Sequence, residues 1–278
     1  MSNEIKNFWK NLEKNHKSPL SLRAVQTFDV KKFYKLLEDE NKVKKLIKDT
    51  YSGDFILIKN SIKKNFLQKL KYKLHDLATK TPSEYNPMTE GCPNFHRFID
   101  EKSSKKYSVQ SFRHAFYFFR WNQDKLNLFK KFNFLWGSIK KIGGLNFDEY
   151  VKNTPKDKIV DRVQVVRYPD KTGFIEPHQH SPKNQRLIIS IYMSKKGKDY
   201  LSGGTFFYKK NKKIEVEKNI DIGDCGIFYA TLKHSVKPVQ LSKIKLSAKE
   251  EKIKGRWWIG LYSPESNHKK KRNTSRPL

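Results

Sequence analysis

The sequence predicts a mainly β protein, a barrel or sandwich, carried behind N-terminal helices. Three observations predict it. From Arg162 onward, short apolar runs separated by turn residues recur every ~8–15 residues, the texture of closed β architectures. Before that point, several segments repeat their apolar residues at helical spacing. Aromatic residues make up 13% of the 278, too many for a chain unable to form a core.

The elements follow in order. Residues 1–50 are rich in Lys, Glu and Asn, with Phe33, Leu36, Leu37, Val43, Leu46 and Ile47 as apolar punctuation; they predict one or two short amphipathic helices. Gly53 breaks that pattern, and Asp54–Ile58 reads as a short apolar strand. Ile62, Phe66, Leu67, Leu70, Leu74 and Leu77 define a helix over about 61–78, with Ser61 as its N-cap. A loop carrying Pro82, Pro87, Gly91 and Pro93 comes next. Residues 107–122 predict an aromatic-rich strand with interleaved polar groups. The period from Leu126 to Ile142 predicts a helix ended by Gly143-Gly144. Strands are then expected at 162–168, 187–193, 205–208, 213–217, 225–230, 235–239 and 256–262. Turns are expected at 169–173, 211–212 and 222–224. The polar, lysine-rich stretch 241–254 reads as an exposed loop and 264–278 as a disordered basic tail. The chain is thus expected to form one domain over 1–263, with 1–160 as support and substrate side and 161–263 as the core.

The formal charge is +31, yet only 10 of the 59 basic residues are Arg. Sequence-reading nucleic-acid proteins favour the forked guanidinium, and the lysines here are scattered rather than gathered in one stripe. Composition therefore argues against a nucleic-acid partner. Cys92 and Cys225 are too few for a disulfide framework. No apolar run is long enough for a membrane span, and the N-terminus has no apolar signal region. A cytoplasmic protein is expected.

The chemistry gathers in the β-rich half. His178 and His180 form H-x-H, and His234 follows 54 residues later. Residues i and i+2 of a strand share a face, so His178 and His180 can approach one metal, and His234, just after an apolar strand, can close the site. Imidazoles suit iron, zinc, copper or nickel. Around them stand Arg167-Tyr168-Pro169-Asp170, Ile188-Ile189-Ser190-Ile191-Tyr192, Gly203-Gly204-Thr205, Gly223-Asp224, His234-Ser235-Val236 and Gly255-Arg256-Trp257-Trp258. This order resembles the double-stranded β-helix (jelly-roll) core of the iron(II)/2-oxoglutarate-dependent dioxygenases, in their prolyl-hydroxylase-like pattern. The resemblance covers about 162–263 and, more loosely, 54–121.

The resemblance implies a hydroxylase that acts on a C–H bond, with Fe(II) as metal, 2-oxoglutarate as cosubstrate and O2. His178, His180 and His234 would hold the metal. Arg256 would pair with the far carboxylate of 2-oxoglutarate, with Tyr192 and Tyr168 beside it. Arg97, His114 and Trp121 are candidates to line the substrate pocket. A small-molecule or side-chain substrate is expected, anionic chemistry among the options. The sequence departs from the family at His180, where an Asp or Glu is usual, so three neutral imidazoles would leave the metal more cationic. Glu176, two residues before His178, is the nearest carboxylate that could compensate. Two rival readings remain at this level: a three-histidine dioxygenase that needs no 2-oxoglutarate, and a β-helix binding protein with a degenerate metal site. A nucleic-acid demethylase is disfavoured, because the second arginine of those relatives is replaced by Tyr262.

Overall fold

A computed structural model describes residues 2–210, 212–241, 247–273 and 275–277. The first 51 residues form α1 (Ser2–Asn15), β1 (Val25–Asp29), α2 (Val30–Leu36) and α3 (Glu40–Tyr51). The strand β1 was not expected. Its text, V-Q-T-F-D, is half polar because β1 lies at a sheet edge, paired in parallel with β2 (Phe55–Lys59) alone. Next comes α4 (Lys64–Lys80), which begins later than Ser61. The Ser61 hydroxyl bonds the Ile58 carbonyl and the Ile62 N–H bonds the Gly223 carbonyl, so these residues tie down the strand end instead of capping the helix.

The segment β3 (Phe95–Ile99), α5 (Glu101–Ser104) and β4 (Ser111–Phe119) leads into α6 (Leu128–Ile142). The helix α6 ends at Gly143-Gly144 as expected, Gly144 taking the left-handed φ of +77°. The core then comprises β5 (Arg162–Tyr168), β6 (Phe174–Gln179), β7 (Leu187–Tyr192), β8 (Tyr200–Lys209), β9 (Lys212–Glu215), β10 (Cys225–Tyr229) and β11 (His234–Leu241). It closes with α7 (Ala248–Lys252), β12 (Arg256–Tyr262) and β13 (Arg276–Pro277). The hairpin turn expected at 211–212 and the insert at 241–254 lie partly outside the described residues. Of the insert, 248–252 is helical rather than loop.

The strand order is β1-β2-β10-β7-β12-β5-β4-β6-β11-β8-β9, with β3 added on β4 and β13 on β6. Only the β1–β2 pair is parallel among the described strands. Strand β4 turns the corner. Its first residues, Ser111 and Phe112, pair with β6, whereas His114–Phe119 pair with β5. The two sheets thus joined enclose a cavity lined from both sides.

Period-two alternation decides what enters it. Ile189, Ile191, Val163, Val165, Trp257 and Ile259 pack outward against the helices, together with Trp9, Leu67 and Trp136. Ile188, Phe228 and Arg256 line the cavity instead, and Tyr192 packs in the same cluster as Ile188 and Phe228. No helix among the described residues is long and apolar enough to cross a membrane.

The segment after Tyr262 corrects the expectation of a disordered tail. Ser266 is buried, and Glu265 accepts the Asn273 N–H at 2.6 Å. Beyond it, Arg276 and Pro277 pair with Gln179 and His178 of β6. The basic text hid this fold-back because its contacts are made mostly by backbone and small polar groups.

Candidate metal centre

Strands β6 and β11 pair antiparallel with His234 directly opposite His178. Between the Ile175–Val236 pair and the His178–His234 pair, β6 carries one residue more than β11. That bulge puts both Ile175 and His178 on the cavity side. It also removes Glu176 from that side. Its carboxylate accepts the Gln110 N–H at 3.1 Å, so the i, i+2 argument that placed Glu176 beside His178 fails here. His180 lies just beyond β6, held by its own N–H on the Ala230 carbonyl at 2.9 Å.

The three imidazoles converge. Their candidate ligand atoms all lie within 4.8 Å of one another, and ring centroids are 4.2 Å apart for His178 and His234. His178 Nδ1 is 2.7 Å from the Glu176 carbonyl and His234 Nδ1 is 2.9 Å from the Leu232 carbonyl. A carbonyl only accepts, so each Nδ1 carries the proton and each Nε2 keeps its lone pair for a metal. His180 Nδ1 meets the Ser275 hydroxyl at 2.9 Å, while its Nε2 is buried with no partner. An orphaned, buried nitrogen among two others with free lone pairs fits a bound iron(II) ion.

Burial pushes all three imidazoles down, His234 to about 4 and the others well below their usual range. The neighbouring imidazoles add to the effect at His178, and His234 with Arg113 at His180. Neutral rings at physiological pH are the form that coordinates metal. Among the described residues no carboxylate joins the group.

Arg256 is where expectation and structure part. It is 1% exposed and faces the cavity, but its guanidinium is already paired. Nε donates to Glu217 at 3.0 Å, Nη2 donates to the same carboxylate, and Nη2 also donates to Thr205 Oγ1 at 2.8 Å. Glu217 further accepts the Thr205 N–H at 2.7 Å and the Tyr200 hydroxyl. Burial alone would raise this carboxyl, yet the Arg256 charge and these bonds hold it below the usual range. Gly204 makes the approach possible: with φ +91°, a Cβ there would sit 2.8 Å from Glu217 Oε2. Only Nη1 of Arg256 stays without a partner. Tyr192 is buried close to Glu217 and Arg256, and the Tyr168 ring lies 5.1 Å from the Arg256 guanidinium. The residues expected to grip a cosubstrate carboxylate are together, but a carboxylate of the chain itself holds the fork. A 2-oxoglutarate far carboxylate therefore fits poorly on Arg256.

The cavity measures about 630 Å³. Of the three residues considered for a substrate pocket, Arg97 lines the cavity and His114 and Trp121 do not. His114 faces away because β4 alternates and Arg113 takes the inward position; its Nε2 meets His96 Nδ1 at 2.8 Å. Trp121 stacks on Phe119 and donates to the Cys92 carbonyl. Sequence reading missed Arg113, Arg162, Ser275 and Glu217. Alternation along 111–119 and 162–168 could have singled out the first two. Nothing in the polar text around Glu217 marks it as buried.

A jelly-roll barrel with three converging imidazoles defines a double-stranded β-helix protein with a candidate metal centre. The fold is that of a Pseudomonas putida prolyl-4-hydroxylase, at a TM-score of 0.50 and 11% identity over 80% of this chain and 98% of that one. It is equally similar to a full-length Neurospora crassa protein crystallised in complex with alpha-KG, at 0.50 and 14% identity over 91% and 88%. No family model and no curated protein matches the sequence. The expected fold, the double-stranded β-helix of 2-oxoglutarate-type oxygenases, is the fold found.

Proposed function

We propose that the protein is an iron(II)- and 2-oxoglutarate-dependent oxygenase that hydroxylates a C–H bond through a three-histidine centre. One observation carries this reading: His178, His180 and His234 converge on one point of the barrel cavity, with the Nε2 lone pairs of His178 and His234 free for a metal and the His180 Nε2 buried without a partner. The fold shared with the prolyl-4-hydroxylase supports it. Bound iron would supply oxygen activation, coupled to conversion of 2-oxoglutarate to succinate and carbon dioxide. The chain's own work is to orient and to exclude water. The Glu176 and Leu232 carbonyls fix two imidazole tautomers, and Ser275 braces the third. Tyr262, with its ring 5.9 Å from His180, and Phe228, 4.9 Å from His234, wall the site.

The test is iron content and succinate formation in the wild type and in His178→Ala, His180→Ala and His234→Ala. Each variant should lose most of the iron and nearly all succinate formation. Unchanged iron in all three would remove the site. An oxidised product formed without 2-oxoglutarate would move the chain to the three-histidine dioxygenases that need no cosubstrate.

A further inference from the structure

The cavity has an unusual charge balance. Arg97, Arg113, Arg162, Arg256, Arg272 and Lys106 line it, and no Asp or Glu does among the described residues. The chain has only 10 arginines, and half of them are here, so a general excess of lysine does not account for the cluster. Arg256 is neutralised by Glu217. Neither Arg113 nor Arg162 has a carboxylate partner among the described residues, and the Nε of each is buried without any partner.

The placement of the two is specific. Arg113 lines the cavity together with Tyr168, His178 and His180, near enough to both histidines to act on them electrostatically. Arg162 donates to Gln164 at 2.8 Å and lies over Tyr117 and Tyr262, at 5.1 and 5.8 Å from their rings. The same Tyr262 flanks His180. Two guanidinium groups without an anion share one cavity, and burial pushes Arg162 down to about 10, with the charges of Arg272 and, less, Arg113 adding to it and the Tyr117 and Tyr262 phenols working the other way. At neutral pH both still carry their charge. An anion with several oxygens relieves such a pair, since each guanidinium can donate more than one bond to it.

We propose that Arg113 and Arg162 form the oxyanion-binding site of this cavity, taking a carboxylate or phosphate group beside the three-histidine centre in place of the Arg256 fork. The inference rests on the oxygenase reading for the meaning of the anion but not for its existence. The oxyanion has two possible sources, the far carboxylate of a 2-oxo acid and a charged group on the substrate.

The experiment is calorimetric titration of inorganic phosphate into metal-free protein. Wild type should bind it. Arg113→Gln and Arg162→Gln should each weaken binding about 10–100-fold, the size of one charge-assisted hydrogen bond. Arg113→Lys and Arg162→Lys, which keep the charge and guard against misfolding, should lose less. A second arm titrates 2-oxoglutarate into manganese(II)-loaded protein with and without saturating phosphate. Competition assigns the site to the cosubstrate, and simultaneous binding assigns it to the substrate. Failure of phosphate to bind, or equal affinity in wild type and both Gln variants, would overturn the proposal. Iron binding by the same variants, measured separately after reconstitution with iron(II), separates its failure from that of the oxygenase reading.

Discussion

Removing the charge of Glu217 leaves Arg256 buried with no anion, and this is where a single residue matters most. The pair is nearly inaccessible to solvent on both sides, so screening does little to soften the loss. Breaking one half of such a pair typically costs about 3–5 kcal/mol. Glu217→Gln keeps the shape and the bonds to Thr205 and Tyr200 as far as an amide can. It should therefore lower the unfolding free energy by roughly that amount in urea titration. A change below about 1 kcal/mol would mean that Arg256 finds another acceptor, because an ordinary hydrogen bond is worth about that much. Arg256 was legible as an inward-facing cation from its place in an apolar strand. Its partner was not, since Glu217 lies in a polar stretch whose burial arises only when Gly204 lets two segments touch.

At the scale of elements, the C-terminal strand β13 is the piece that links periphery to site. It pairs with β6 across His178 and Gln179, and just before it Ser275 reaches His180 Nδ1. Groups that brace a metal-ligating histidine commonly alter metal affinity by about 10–100-fold. Ser275→Ala should weaken iron binding by about 10-fold in competition with a chelator. A chain ending at Arg272 should weaken it at least as much while keeping the barrel, as judged by circular dichroism. Equal affinity in both would show that the tail merely covers the site. The β6 bulge is the other element that sequence periodicity could not supply. Alternation is a property of an undisturbed strand, and one extra residue reverses the face on which Glu176 lies.

For the whole molecule, the buried imidazoles set the response to acid. His178, His180 and His234 are held low by burial, His114 to about 3. Each is neutral in the folded state and would take up a proton near pH ~6.5 once unfolded. The unfolded chain thus binds more protons between about pH 4 and 6.5, so stability falls as pH falls through that window. The metal-free protein should melt at a clearly lower temperature at about pH 5.5 than at about pH 7.5. Bound iron should widen the difference, since protons compete with the metal for the same nitrogens. A melting temperature that rises on acidification would contradict the burial of these rings.

The sequence by itself determined the class of this molecule: amphipathic helices, a run of short strands, and a histidine pair with a distant third in the order of a double-stranded β-helix. Those features are periodic or local, and local patterns survive without knowledge of the partners. Tertiary structure alone decided three things. It set Glu217 on Arg256, turned Arg113 inward and His114 outward, and returned the tail to His180. Each depends on which segment meets which across the barrel. A buried charge or an added edge strand is favourable only when its counterpart arrives from far along the chain, and no single stretch of sequence records that meeting.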